Sequence, residues 1–145
     1  MTTQTPEAIQ AMRQVDDTFA PWVAELGLTL VETSKTQARL VLPNSEKLQL
    51  RGGPGAGVIC GQAIASVADT ACVFALTGAN GRFRNCTTTD MSVRFVRPLM
   101  GGDVDVTVDL ESNGRKLAVC RVTLCAAGSE KTAALATATF MYLEE

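Results

Sequence analysis

Gly55–Gly81 reads GAGVICGQAIASVADTACVFALTGANG, and this stretch decides the fold. Nearly every residue is small or apolar, and Asp69 is the only charged side chain between Arg51 and Arg82. From Gly61 to Leu76 apolar residues fall on nearly every side of a helical period, which predicts a helix wrapped by protein. The Val58–Leu76 run is almost long enough to span a bilayer. Gly61, Gln62, Ser66, Asp69 and Thr70 within it argue against that reading, since a mid-membrane Asp costs roughly 3 kcal/mol. A buried core helix is expected instead. A carboxylate taken out of water inside such a helix is costly unless something pairs or hydrogen-bonds it. That cost is tolerated more often at a working site than in a scaffold, where a carboxylate would simply accept backbone or Thr70 hydrogen bonds. Asp69 is therefore the first candidate for acid/base chemistry.

The flanking segments supply the layers around this helix. Thr5-Pro6 suits an N-cap and first helical residue, opening a helix with Ile9, Met12, Val15 and Phe19 on one face. Pro21 should break or kink it, and Gly27 should stop it. Leu28–Glu32 and Thr36–Leu42 read as two short strands around a turn at Ser34-Lys35. Arg51–Gly57, RGGPGAG, reads as a loop without regular structure. After a turn at Gly78–Gly81 come four strands. Thr87–Arg97 carries Met91, Val93 and Phe95 on one face. Asp103–Leu110 alternates, with Val104, Val106, Val108 and Leu110 facing in. Asn113-Gly114 is a strong hairpin signal. It leads to Lys116–Cys125, with Ala118, Cys120, Val122 and Leu124 on one face. Gly128-Ser129 then turns into Lys131–Leu143, with Ala134, Ala136, Ala138 and Phe140 inward. Those alanines predict close pressure from a helix, and the whole pattern implies an α+β antiparallel sheet curled around it.

Composition removes several function classes. A length of 145 residues suits one domain over 1–145. Hydrophobic content of 46% with 19% charged residues describes a globular chain. A net charge of −2 leaves no basic footprint for nucleic acid. The start, MTTQTPEAIQ, has no basic segment followed by an apolar one, so no secretory signal is expected. The five cysteines, at 60, 72, 86, 120 and 125, form no CxxC pair. Their odd number predicts reduced thiols and a cytoplasmic setting. There is no histidine, which excludes Ser-His-Asp and Cys-His arrangements and leaves no cysteine–histidine metal set. Cys60 at a helix start is a nucleophile candidate without a partner base. GGPGAG lacks the Lys-Ser/Thr of a phosphate-binding P-loop, and no βαβ series follows it.

The segments FAPWVAELGLTLVE, CGQAIASVADTACVFA, TTTDMSVRFVRP and GGDVDVTVDLESNGRKLAVCRVTL, in that order, resemble the hotdog-fold acyl-CoA thioesterases of the phenylacetate-degradation (PaaI-like) type. The resemblance runs from about Phe19 to Tyr142. It implies a hotdog fold, hydrolysis of an acyl-CoA thioester, no metal or redox cofactor, and self-association as a homodimer or dimer of dimers. Membranes and nucleic acids are not implied as partners. Asp69 stands where that family keeps its catalytic carboxylate, and Gly61 at the first Gly of its His-Gly-Gly motif, whose backbone N–H polarises the thioester carbonyl. Thr88 stands near a Ser/Thr that helps hold the attacking water. Cys60 replaces the family His, Gln62 the second Gly, and Pro54 a polar residue six positions before the His. Cys60 and Gln62 are thereby placed against the substrate. Arg94 and Arg97, with Arg115 and Lys116, are candidates to hold a coenzyme A phosphate, and Val73, Phe74 and Met91 candidates to shape the pocket. A dehydratase on the same fold usually relies on a histidine, which is absent; a non-catalytic binder of acyl-CoA or another small apolar ligand is the rival reading.

Helix geometry adds a demand of its own. Free N–H groups at a helix N-terminus favour an oxyanion, and such donors contribute roughly 3–4 kcal/mol in acyl transfer. Eight helical residues separate Gly61 from Asp69, about 12 Å along the axis. One chain cannot place both groups on one carbonyl, so each site is expected to pair Gly61 of one chain with Asp69 of its two-fold mate.

Overall fold

The computed structural model describes residues 6–144. Thr5 and the Ile9 side chain lie outside the described residues. Helix α1 (Pro6–Thr18) is followed by the four-residue α2 (Pro21–Ala24), with Pro21 restarting the chain in a new direction. Gly27 stops it at φ +73°, where a Cβ would also meet the Pro43 ring at 3.2 Å. Strands β1 (Thr29–Thr33) and β2 (Gln37–Leu42) lead to a 3₁₀ turn at Glu46–Leu48 and then the central helix α3 (Gly61–Asn80). Four strands complete the chain: β3 (Cys86–Phe95), β4 (Val104–Asn113), β5 (Leu117–Ala126) and β6 (Thr132–Tyr142). All pair antiparallel in one six-stranded sheet of order β1-β2-β4-β5-β6-β3. Its inward positions meet α3. Ala118, Cys120, Val122 and Leu124 on β5 and Ala134, Ala136, Ala138 and Phe140 on β6 are all buried. The alanines leave room for the helix to approach closely, as expected from their pattern.

Three details differ from the sequence expectation. First, α3 does not turn at Gly78 but runs one turn further, to a left-handed cap at Gly81 (φ +70°). Gly78 is there for proximity: a Cβ on it would lie 2.1 Å from Thr33 Oγ1. Second, α3 is not enclosed all round. Ala63, Ile64, Val67, Ala68, Ala71, Cys72 and Ala75 are buried, whereas Gln62, Ala65, Ser66, Asp69 and Val73 form a stripe that stays at least partly open. Their spacing of three, four and seven residues is that of one helical face. The helix is long and apolar enough to cross a membrane, yet most of it is buried against the sheet.

Third, Asn113-Gly114 does not form the two-residue hairpin turn. Gly114 keeps a negative φ and donates to the Leu117 carbonyl at 2.8 Å, so Arg115-Lys116 form the tip. Asn113 is occupied elsewhere. Its amide donates to Asn80 Oδ1 at 2.9 Å, and its Oδ1 accepts from the Tyr142 hydroxyl at 2.6 Å, tying the hairpin to the end of α3.

The glycine-rich loop at 51–57 is a closed turn. Leu50 N–H donates to the Val58 carbonyl at 2.8 Å, and Gly57 N–H to that of Leu50 at 2.9 Å. Ile59 and Cys60 then bond the Leu99 and Leu48 carbonyls, which fixes where α3 begins.

Replacing Gly78 by Ala is expected to cost about 1–3 kcal/mol through overpacking, read as a lower Tm. Combining it with Thr33→Ala should recover most of that loss, because the clash is with the Thr33 side chain.

Candidate functional site

Asp69 lies in the middle of α3 on its open stripe and is half-buried in the chain rather than fully removed from water. Thr88 Oγ1 donates to Asp69 Oδ1 at 2.7 Å. A hydrogen bond to a charged acceptor of that length is strong. It holds the carboxylate from strand β3, not from the neighbouring Thr70, which is itself buried.

A β-bulge makes this contact possible. Thr88 pairs with Phe140 and Asp90 with Thr139, so Thr89 is the extra residue. Phe140 and Ala138 both face inward, and Met91 pairs with Ala138. Thr88 and Met91 therefore share the helix-facing side although they are three residues apart. In a regular strand of period two, Thr88 would point away from α3.

The start of α3 offers backbone donors. Cys60, the N-cap, has no capping side-chain bond among the described residues, and its own N–H is taken by the Leu48 carbonyl. Ile64 N–H closes the first turn on the Cys60 carbonyl at 3.2 Å, so the N–H groups of Gly61, Gln62 and Ala63 carry the positive end of the helix. The Phe95 ring passes Gly61 with its edge 3.4 Å from where a Cβ would stand.

Asp69, Cys60, Gln62, Gly61 and Arg97 are distributed among three hollows. Asp69 borders one of about 240 Å³ with Trp22, Ser66 and Met91. Cys60 and Gln62 border a second, of about 230 Å³, with Trp22 and Leu48. Gly61 opens into a third, of about 380 Å³, with Phe95 and Arg97. Gly61 and Asp69 thus share no cavity within one chain. Arg94 pairs with Leu135, whose neighbours Ala134 and Ala136 face inward, so Arg94 projects from the opposite side of the sheet to α3. Arg115 and Lys116 sit by the far end of α3, a helix about 30 Å long that begins at Gly61, and there the Arg84 guanidinium bonds the Arg115 carbonyl and stacks on the Tyr142 ring. Phe74 is buried and packs its ring against Phe19, so of the three pocket candidates only Met91 borders the Asp69 hollow. Trp22 and Ser66 were missed by the sequence reading. Ser66 was findable, since it stands three positions before Asp69 on the same helical face.

Thiols crowd behind the carboxylate. Hydrogen bonding with Cys120 and deep burial push the Cys72 thiol well above its ordinary range. Burial, assisted by the Asp69 charge, pushes Cys86 up to about 11. All five cysteines are free thiols. No group of three His, Cys, Asp or Glu residues among the described residues has the arrangement to hold a metal ion.

Residues 56–133, more than half the chain, match the thioesterase superfamily. The chain belongs to that family. Its fold is the hotdog fold. The PaaI protein of the Escherichia coli phenylacetic acid degradation operon is similar at 17% identity with a TM-score of 0.78, over 98% of this chain and 97% of that one. A zebra fish thioesterase superfamily member 2 is similar at 20% identity and TM-score 0.75, covering 92% of this chain and 94% of its own. A thioesterase family protein from Silicibacter pomeroyi reaches 25% identity and TM-score 0.75, over 93% and 99%. None of the curated protein sequences matches the chain. Membership of the superfamily supports acyl-thioester hydrolysis in general.

Two outcomes are expected. Thr88→Val removes the donor to a charged acceptor and should lower turnover about ten- to a hundredfold, with little change in Tm because Thr88 is exposed. Iodoacetamide at pH 7–8 should spare Cys72 and Cys86 in the native protein and label both in denaturant, read by peptide mass spectrometry.

Proposed function

We propose that this protein hydrolyses an acyl-CoA thioester, with Asp69 as the general base. The reading rests chiefly on one observation: a carboxylate on an otherwise apolar helix borders a hollow and is oriented by Thr88. Asp69 accepts a proton from water while the oxygen of that water attacks the thioester carbonyl carbon. The developing oxyanion is stabilised by the Gly61 N–H at the positive end of α3. Collapse breaks the carbon–sulfur bond, and the proton passes from Asp69 to the departing thiolate, giving a carboxylic acid and free coenzyme A. Direct attack by the Asp69 carboxylate breaks the carbon–sulfur bond and forms an anhydride; its hydrolysis by water frees the acid, regenerates the carboxylate and supplies the proton taken by the thiolate. No metal or redox cofactor enters either route, and the free thiols suit a reducing compartment such as the cytoplasm.

The active unit in this reading is a two-fold homodimer, alone or within a dimer of dimers. Gly61 and Asp69 open into separate hollows of one chain, which supports a site completed by a second copy. Strand β3 supports it too. It is an edge strand, paired only with β6 among the described residues, and it ends in exposed Phe95 with exposed Val96 and Met100 beyond it. Uncovered edges and apolar side chains of this kind are suited to pairing with another chain.

Asp69→Asn is expected to lower thioesterase turnover at least about a hundredfold while acyl-CoA binding persists, measured by free-thiol release and by calorimetry. A wild-type protein that binds acyl-CoA and never releases thiol is instead a ligand-binding protein. Gly61→Pro tests the donor directly. Proline at the first helical position deletes the N–H without breaking the helix, and Cys60 at φ −66°, ψ 150° already has the backbone that precedes a proline. Mixing Gly61→Pro with Asp69→Ala chains should restore activity that neither has alone, because half of the sites in each mixed dimer are then intact. Absence of recovery after verified subunit exchange overturns the shared site.

A further inference from the structure

Trp22 is the only tryptophan of the chain, stands on the short helix α2, and is 61% exposed. It forms a common wall between two hollows strung along the open stripe of α3. One holds Cys60 and Gln62, the other Asp69. The floor of the second is made by Ala65 and Ser66, small side chains at positions where any larger residue would fill the space. Phe19 borders the same hollow and packs its ring against buried Phe74, centroids 5.7 Å apart.

From this arrangement we infer that the hollow beside Asp69 is the acyl subsite, roofed by Trp22 and floored by Ala65 and Ser66. It would select compact apolar acyl groups over long chains. The inference rests on the hydrolase reading for the identity of its occupant and adds the substrate class. The lining supports an acyl group rather than the coenzyme. No lysine or arginine borders this hollow, so it offers nothing to a phosphate, whereas Phe19, Trp22, Val23 and Met91 offer apolar surface within reach of the carboxylate. Its size sets the scale. A dry cavity of about 150 Å³ accepts benzene, so a hollow of this size takes an acyl group of roughly six to eight carbons. A longer chain would have to run past Trp22, which walls this hollow from the next.

Trp22 also supplies the readout. A hydrolysis-resistant octanoyl-CoA thioether should blue-shift and alter Trp22 emission in the wild-type dimer, whereas coenzyme A alone should not. Ala65→Leu should weaken that binding and raise the ratio of KM for octanoyl-CoA to KM for acetyl-CoA by about tenfold or more. Trp22→Ala, at an exposed position, should shift preference from octanoyl-CoA toward palmitoyl-CoA. Unchanged emission with the thioether, or equal effects of Ala65→Leu on both substrates, overturns the subsite. Emission that follows protein concentration and not ligand also overturns it, marking Trp22 as a subunit contact. The two readings separate cleanly. If the thioether shifts Trp22 emission but no acyl-CoA is cleaved, the subsite stands and the hydrolase reading falls. If octanoyl-CoA is cleaved without any change at Trp22, the reverse holds.

Discussion

The close approach of α3 to the concave face of the sheet is the constraint on which the other features depend. β6 presents alanines inward, α3 answers with Ala63, Ala68, Ala71 and Ala75, and Gly78 lies so near Thr33 that no side chain fits between them. Small residues on both sides trade side-chain area for proximity, and close packing of this kind has low compressibility, which defines the position of the helix. One buried atom bears the cost: Thr33 Oγ1 has no hydrogen-bond partner among the described residues. The benefit is that α3 starts and ends at fixed places, held by the Leu48 carbonyl at one end and the Asn80–Tyr142–Asn113 network at the other.

A helix so placed can carry a carboxylate at a set height above the sheet. Asp69 faces outward on the open stripe while its neighbours Ala68 and Thr70 are buried. β3 then reaches it through a single irregularity. The extra residue at Thr89 turns Thr88 toward the helix, and the Thr89 hydroxyl returns to the Thr139 carbonyl at 3.1 Å to steady the bulge. Bulges re-aim side chains in this way next to functional sites. The protonated thiols behind Asp69 give the carboxylate a neutral, weakly polar backing.

Much of the fold was legible because its periods are clean. The alternation in β4, β5 and β6 gave strand, face and neighbour, since the buried positions there are those with period two. Legibility failed where a residue served a distant partner. Gly78 looked like a turn because glycine usually interrupts helices, and only its contact with Thr33 explains it. Asn113-Gly114 looked like a turn because that pair favours one, and the bonds to Asn80 and Tyr142 displaced it by two residues. Arg94 and Arg97 looked equivalent. The pleat sends Arg94 to the far side of the sheet, while Arg97, beyond the end of β3, borders the hollow at Gly61.

By itself the sequence determined that a lone acid would ride on an apolar helix inside a curled antiparallel sheet, because hydrophobic period and charge are local properties of the chain. It also determined that histidine chemistry was unavailable. Tertiary structure decided which side of that helix stayed open, which hydroxyl met the acid, and which arginine reached the hollow at Gly61. Those outcomes depend on strand register, on one bulge and on contacts between residues far apart in sequence, and no local pattern encodes them.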